Sequence, residues 1–180
     1  MLKIYDEYKK HGVENYYKNY SSQYTNPHKD RIIKLYIKHI KPILTNKDLI
    51  IDIACGDGLI SKIINEFNNN NNNHNNNIII DGSDPYFDNI YTTLKYSFED
   101  IAKGKLTELS KKYDLAICCY AFHLIDEKWK YDFLSNLAIS TLKFIIITPS
   151  KKIKINHPLW KIVKEIREEK ITILILDNNL

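Results

Sequence analysis

Three acidic residues and two glycines, set among short apolar runs, carry most of the chemical signal in this chain. The densest group is D-I-A-C-G-D-G, residues 52–58, which follows the apolar triplet Leu49, Ile50 and Ile51. An apolar run, a glycine turn and then apolar residues at 59, 60, 63, 64 and 67 read as strand, tight turn and helix. Such a turn brings the backbone of the helix start against an adenosine-type ligand. Read as G-x-G-x-x-G, the stretch supplies Gly56 and Gly58 but places Ser61 where a third glycine belongs. Asp52 points further from a dinucleotide, because a carboxylate ending the strand repels a pyrophosphate. The same carboxylate suits a ligand with positive charge and no phosphate.

A second acidic group lies in I-I-I-D-G-S-D-P-Y-F, residues 78–87, where Asp84 and Asp81 both stand near the end of a predicted strand. Asp84 is also placed to cap a brief helix opening at Pro85, and the two roles can coexist. Farther along, Y-D-L-A-I-C-C-Y-A-F (113–122) is a predicted strand with Tyr120 and His123 near its end. Both are candidates for taking a proton, and histidine titrates near neutral pH. A packing role for His123 competes with that one. Cys118 and Cys119 read as small side chains of a central strand. With no second cysteine pair beside His123, and one imidazole (His74) in the asparagine tract 68–77, no metal site is expected.

The elements needed to position these residues follow from periodicity. Asn26-Pro27 opens a helix running to Pro42, with apolar positions 32, 33, 36, 37 and 40. Its basic residues, Arg31, Lys34, Lys38 and Lys41, form a row that reads as a solvated face or a polyanion contact. Strands are expected at 49–54, 78–84, 93–97, 113–122, 143–150 and 170–177. Helices follow the glycine turn, Asp84, Asp126 and Pro158. Alternation of this kind predicts an α/β fold, a doubly wound and mostly parallel sheet of six or seven strands with helices on both faces. In such sheets ligands sit outside the carboxyl ends of the strands, where the order reverses beside the first strand. The 180 residues fit one domain, 1–180, with residues 1–48 as a helical lid and 68–77 as a disordered asparagine-rich insertion. A net charge of +4 is too mild to imply a nucleic-acid binder by itself. The absence of an apolar run near 20 residues and the three unpaired-looking cysteines point to a soluble, cytoplasmic protein in a reducing compartment.

With these residues in place, L-I-I-D-I-A-C-G-D-G resembles the first motif of class I S-adenosylmethionine-dependent methyltransferases, with Ala54 where glycine is usual. The segment 78–87 resembles the second motif, whose acid holds the ribose diol; Asp84 is the better match and Asp81 the second. S-F-E-D-I (97–101) resembles the segment facing the adenine, and 113–125 the fourth-strand motif facing the methyl donor. The resemblance spans roughly residues 49 to 150. It implies S-adenosyl-L-methionine as cofactor, bound by Asp52, Ala54, Cys55, Gly56, Gly58, Asp84, Pro85, Phe98, Glu99, Asp100 and Cys119. H-G-V-E-N-Y-Y-K-N-Y-S-S-Q-Y-T-N-P-H (11–28) resembles the leader of small methyltransferase-like proteins of unknown substrate, which makes Tyr16, Tyr17, Tyr24, Asn26 and His28 lid candidates. The implied reaction is methyl transfer to an unidentified acceptor, a small molecule ahead of RNA or protein. The alternative is a non-catalytic methyltransferase-like subunit acting through a partner. The proline preceding the nucleophilic cysteine of cytosine C5 methylation is absent, as is the base-methylating Asn/Asp-Pro-Pro-Tyr signature. Lysines in 150–164, expected on the ligand side, leave an RNA contact open, and a sheet ending in one late strand leaves its edge to be completed by a protein partner.

Overall fold

The computed structural model describes residues 12, 15, 16, 19, 26–69, 77–149 and 153–180. Among these, seven strands form one sheet in the order β3-β2-β1-β4-β5-β7-β6. Strands β1 (Leu49–Ile53), β2 (Ile79–Ser83), β3 (Thr92–Leu94), β4 (Tyr113–Cys119) and β5 (Thr141–Thr148) run parallel. Strands β6 (Trp160–Glu168) and β7 (Ile171–Asn178) are antiparallel to each other, and β7 is antiparallel to β5. The helices are α1 (Lys29–Leu35), α2 (Leu59–Asn69), α3 (Phe98–Ala102) and α4 (Glu127–Ser140).

Strand alternation divides the core in two. Ile51 and Ile53 of β1 join Ala116, Cys118, Phe144 and Ile146 under α3 and α4. Ile50 joins Leu115, Ile117, Ile145 and Ile147 under α1 and α2, whose Ile32, Leu35, Ile60, Ile63 and Ile64 close that face. Because the side-chain period of a strand is two, neighbours in β1 serve opposite layers. This parity also decides which side of the sheet Asp52 and Ile53 reach. The expected doubly wound architecture is therefore the observed one.

The structure departs from the sequence expectations in three places. Pro158 opens no helix: 160–168 is strand β6, paired along its length with β7. Strand β7 is buried over Ile171–Leu176, and its outer edge needs hydrogen-bond partners that a helix could not supply. The β-branched Ile162, Val163 and Ile166 suit that strand. The chain thus supplies its own seventh strand, where the sequence suggested a one-strand ending or an edge left to a partner. Lys161 pairs with Asp177, which also faces Lys143 at the start of β5, so Lys161 lies at the end of the sheet opposite to the one expected.

Second, no helix follows Asp84. Its Oδ1 accepts from the N–H groups of Tyr86 (2.9 Å) and Phe87 (3.1 Å), which is capping geometry used to fold a loop. Third, the first helix changes pitch, passing from α1 into a π-turn at Tyr36–Ile40 and a 3-10 turn at Lys41–Ile43. Pro42 within that last turn has no N–H to continue the regular ladder. Of the asparagine tract, 68 and 69 extend α2, and 70–76 lie outside the described residues.

The basic row of the first helix is largely engaged. Arg31 lies 3.7 Å from Glu169, Lys38 and His39 meet Glu168, and Lys41 donates to the carbonyl of Phe67. The contacts to Glu168 and Glu169 fasten the helix to the tip of the β6–β7 hairpin, and the one to Phe67 ties it to α2. No helix among the described residues is long and apolar enough to cross a membrane.

Candidate functional site

Two cavities lie at the carboxyl ends of β1 and β4, one on each side of the sheet. The larger, 660 Å³ out to its open mouth, is walled by Ile53, Phe87, Tyr96, Phe98, Ala121 and Leu124, with Asp84 and Ser97 as its polar groups. The smaller, 330 Å³, is lined by Asn26, Asp52, Cys55, Asp57, Leu59, Ile60 and Cys119. Ala54 lines both. The parity of β1 explains the division: Asp52 faces the α1–α2 layer, Ile53 the α3–α4 layer, and the chain then turns over the sheet edge at Ala54. Ala54 makes that turn with φ 53°, a left-handed conformation that costs a non-glycine residue about 1–2 kcal/mol.

The turn is welded to the second strand. Gly56 N–H donates to Asp84 Oδ2 at 3.1 Å, Cys55 N–H donates to the carbonyl of Ser83 at 3.1 Å, and Asn89 donates to the carbonyl of Gly56. Gly82 is required by contact, since a Cβ there would lie 2.1 Å from the carbonyl oxygen of Tyr91. Gly58 lines neither cavity; with φ 77° it closes the turn, and its carbonyl accepts the N–H of Lys62 in the first turn of α2.

The electrostatics of the smaller cavity are distinctive. Asp52 is 1% exposed and accepts a hydrogen bond from Ser61 Oγ at 3.1 Å. Burial, reinforced by the carboxylates of Asp84 and Asp57, pushes its pKa up to about 7 despite that hydrogen bond. Burial likewise raises the thiols of Cys55, Cys118 and Cys119, so all three are protonated at neutral pH. The cavity therefore combines acidic groups with inert thiols, and a cationic ligand group would relieve Asp52.

Other candidate residues are placed differently. Asp81 is tied to Lys111 and Tyr113, each at 2.8 Å, and lines neither cavity; those contacts outweigh burial and lower its pKa. Pro85 and Phe98 wall the larger cavity, and Phe98 packs edge-on against Phe133. Glu99 and Asp100 line an outer groove that shares Pro85, Tyr86, Ser97, Phe98 and Leu124 with it. Glu99 pairs with Lys103. Asp100 forms a capping box with Ser97 and pairs with Lys105, contacts that overcome burial and hold it at about 2.

Tyr120 stands between Cys119 of the smaller cavity and Ala121 of the larger, in a left-handed conformation at φ 58°. A bulky residue held there is strained, a feature that clusters at functional sites. Its ring stacks on His28, centroids 5.0 Å apart, and burial raises its hydroxyl pKa to about 12. His123, in the 3-10 turn Phe122–Leu124, is exposed and lines neither cavity. Tyr17 and Tyr24 lie outside the described residues. Sequence reasoning passed over Tyr96, Phe87 and Asp57 as lining residues. Asp57 and Phe87 stood inside the quoted motifs, and Tyr96 directly precedes the segment thought to face adenine.

No family model matches the chain. An uncharacterized protein of Schizosaccharomyces pombe is 25% identical over 187 residues, covering 83% of this chain and 75% of that protein. Among solved structures, an rRNA methyltransferase of Streptomyces viridochromogenes superposes with a TM-score of 0.58 at 9% identity over 86% of each chain. The magnesium protoporphyrin IX methyltransferase of Synechocystis PCC 6803, solved with bound S-adenosylmethionine, has a TM-score of 0.54 at 16% identity, covering 98% of this chain and 95% of that one. A SAM-dependent methyltransferase of Archaeoglobus fulgidus has a TM-score of 0.51 at 16% identity; 72% of this chain is matched, and it spans 63% of that protein's length. The architecture is that of the class I methyltransferase fold.

Proposed function

We propose that the joined cavities bind S-adenosyl-L-methionine and that the protein transfers its methyl group to an acceptor. The observation that carries this reading is the pair of cavities meeting at Ala54, one apolar and edged by Asp84, the other small and acidic. The residues present fit the cofactor. Phe98, Tyr96 and Phe87 would enclose the adenine, and Asp84, already oriented by Gly56, would hold the ribose hydroxyls. Asp52, Asp57 and Asn26 would meet the cationic amino-acid end, where a pyrophosphate would be repelled. The cofactor supplies a methyl group on a sulfonium, a good leaving group. The chain supplies alignment and a dry site, and alignment alone can contribute about 7–11 kcal/mol.

The acceptor in this reading is a small molecule. Engagement of Arg31 and Lys38 by Glu169 and Glu168 supports it over RNA, because those cations are committed within the fold. Calorimetric titration with S-adenosylhomocysteine and, separately, with NAD tests the cofactor. Binding of the former alone is expected. Binding of NAD alone overturns the reading, and binding of neither leaves a methyltransferase-like subunit that works through a partner.

A further inference from the structure

We propose that His28 is the side chain facing the methyl-donating sulfur, and that it receives the acceptor's proton; this rests on the cofactor reading above. A ligand with its adenosine in the larger cavity and its cationic end in the smaller must cross the sheet edge at Ala54, so its central sulfur lies between the ends of β1 and β4. At that level β4 ends by presenting Cys119 to one cavity, and Ala121, two residues on, lines the other, with Tyr120 between them at the crossing point. The ring stacked on Tyr120 is that of His28, with planes 29° apart.

His28 is held there from several directions. Its backbone N–H donates to Asn26 Oδ1 at 2.9 Å, and Asn26 itself lines the acidic cavity. Its carbonyl accepts the N–H of Ile32, whose side chain is fully buried in the α1–α2 layer. Tyr120, the residue after β4, stacks on the imidazole, and the charge of Arg31 in α1 acts on it. Burial and, second, the Arg31 charge lower its pKa, so the ring is neutral and able to accept a proton at pH 7. Neither His28 nor His123 lines a cavity wall itself; what separates them is the stacking of His28 on Tyr120, the residue between the two cavities.

A lone pair of the acceptor atom forms the bond to the methyl carbon, and the carbon–sulfur pair returns to sulfur, leaving neutral S-adenosylhomocysteine. The acceptor's proton passes to the His28 imidazole and from there to water.

The test needs no acceptor, because S-adenosylmethionine and S-adenosylhomocysteine differ at sulfur by one methyl and one positive charge. The six histidines are followed by NMR pH titration in the protein saturated with each ligand, with His28→Gln and His123→Gln used to assign their signals. A sulfonium within several ångströms of His28 should lower its titration midpoint by about half a pH unit or more relative to the homocysteine complex. The midpoint of His123 should be the same in both. If both ligands bind and His28 titrates identically, or His123 moves instead, the inference falls while the cofactor reading stands. If neither ligand binds, both fall.

Discussion

The backbone N–H of Gly56 donates to Asp84 Oδ2 at 3.1 Å, tying the turn after β1 to the residue that ends β2. The other carboxylate oxygen of Asp84 accepts from Tyr86 and Phe87. One side chain therefore shapes two loops of the larger cavity while presenting its charge to that cavity. Loop folding and the polar edge of that cavity are coupled through a single carboxylate.

Separate substitutions resolve these two roles of Asp84. Asp84→Ala removes the acceptor for three N–H groups, and leaving buried donors unpaired should cost at least about 2 kcal/mol. Asp84→Asn keeps one oxygen and the side-chain volume, so it should lose less stability while weakening S-adenosylhomocysteine binding by about tenfold or more. Urea unfolding and calorimetry on both variants read the two effects. Equal affinity in Asp84→Asn and the parent would show that the ribose lies elsewhere.

Asp52 predicts a pH dependence with a definite sign. Its carboxyl titrates near 7 in the folded protein, against 3.8 ordinarily, so the folded state keeps a proton that the unfolded chain has released. Stability from this group is present below about pH 4 and is lost as the pH rises through 7. Asp52→Asn should flatten that slope and exceed the parent at pH 8 by an amount on the order of 2–4 kcal/mol. Ligand binding should run the other way: a cationic ligand favours the ionised carboxyl, so affinity rises between pH 6 and pH 8 with release of a proton. Denaturant titrations across that range, and calorimetry in two buffers, check both signs.

The glycines at the turn should differ in what rescues them. Gly82→Ala places a Cβ 2.1 Å from a backbone oxygen of Tyr91, so it should cost more than about 3 kcal/mol and resist side-chain rescue. In Gly58→Ala the added carbon meets the Tyr91 ring at 2.5 Å, in a backbone conformation of φ 77°. The double variant with Tyr91→Ala should relieve the ring contacts but keep the Tyr91 Cβ at 2.9 Å, so it recovers part of the loss and retains at least about 1–2 kcal/mol of backbone cost. A double-mutant cycle on thermal unfolding measures that remainder.

Trp160 tests the C-terminal hairpin. Its indole N–H donates to the carbonyl of Leu134 at 2.8 Å, and the ring packs on Phe144 at the start of β6. Trp160→Ala should cost about 3–5 kcal/mol and Trp160→Phe about 1–2 kcal/mol, separating packing from the hydrogen bond. A loss below 1 kcal/mol for the alanine variant would contradict this placement.

The helix expected after Pro158 shows why β6 was illegible. W-K-I-V-K-E-I-R-E matches neither period cleanly, and five successive positions from Lys161 to Glu165 are exposed. What makes it a strand is the unfilled edge of β7, a fact about a neighbour. The helix expected at Pro85 failed for a related reason: Asp84 has capping chemistry, but its second oxygen is bound to Gly56, in the turn after β1.

The sequence by itself determined the alternating order of elements, the glycine turn and the acidic strand ends, because periods of two and 3.6 and the needs of tight turns are local properties. Asp84 could be named from that, and the family resemblance added Ala54 and Phe98; all three line the larger cavity. Only the tertiary structure decided that Asp81 belongs to Lys111 and Tyr113, and that His28 and not His123 stands against Tyr120. Those assignments depend on contacts between residues far apart in the chain. Which of several similar carboxylates faces a cavity follows from the neighbours that engage the others, as Lys111 and Tyr113 engage Asp81.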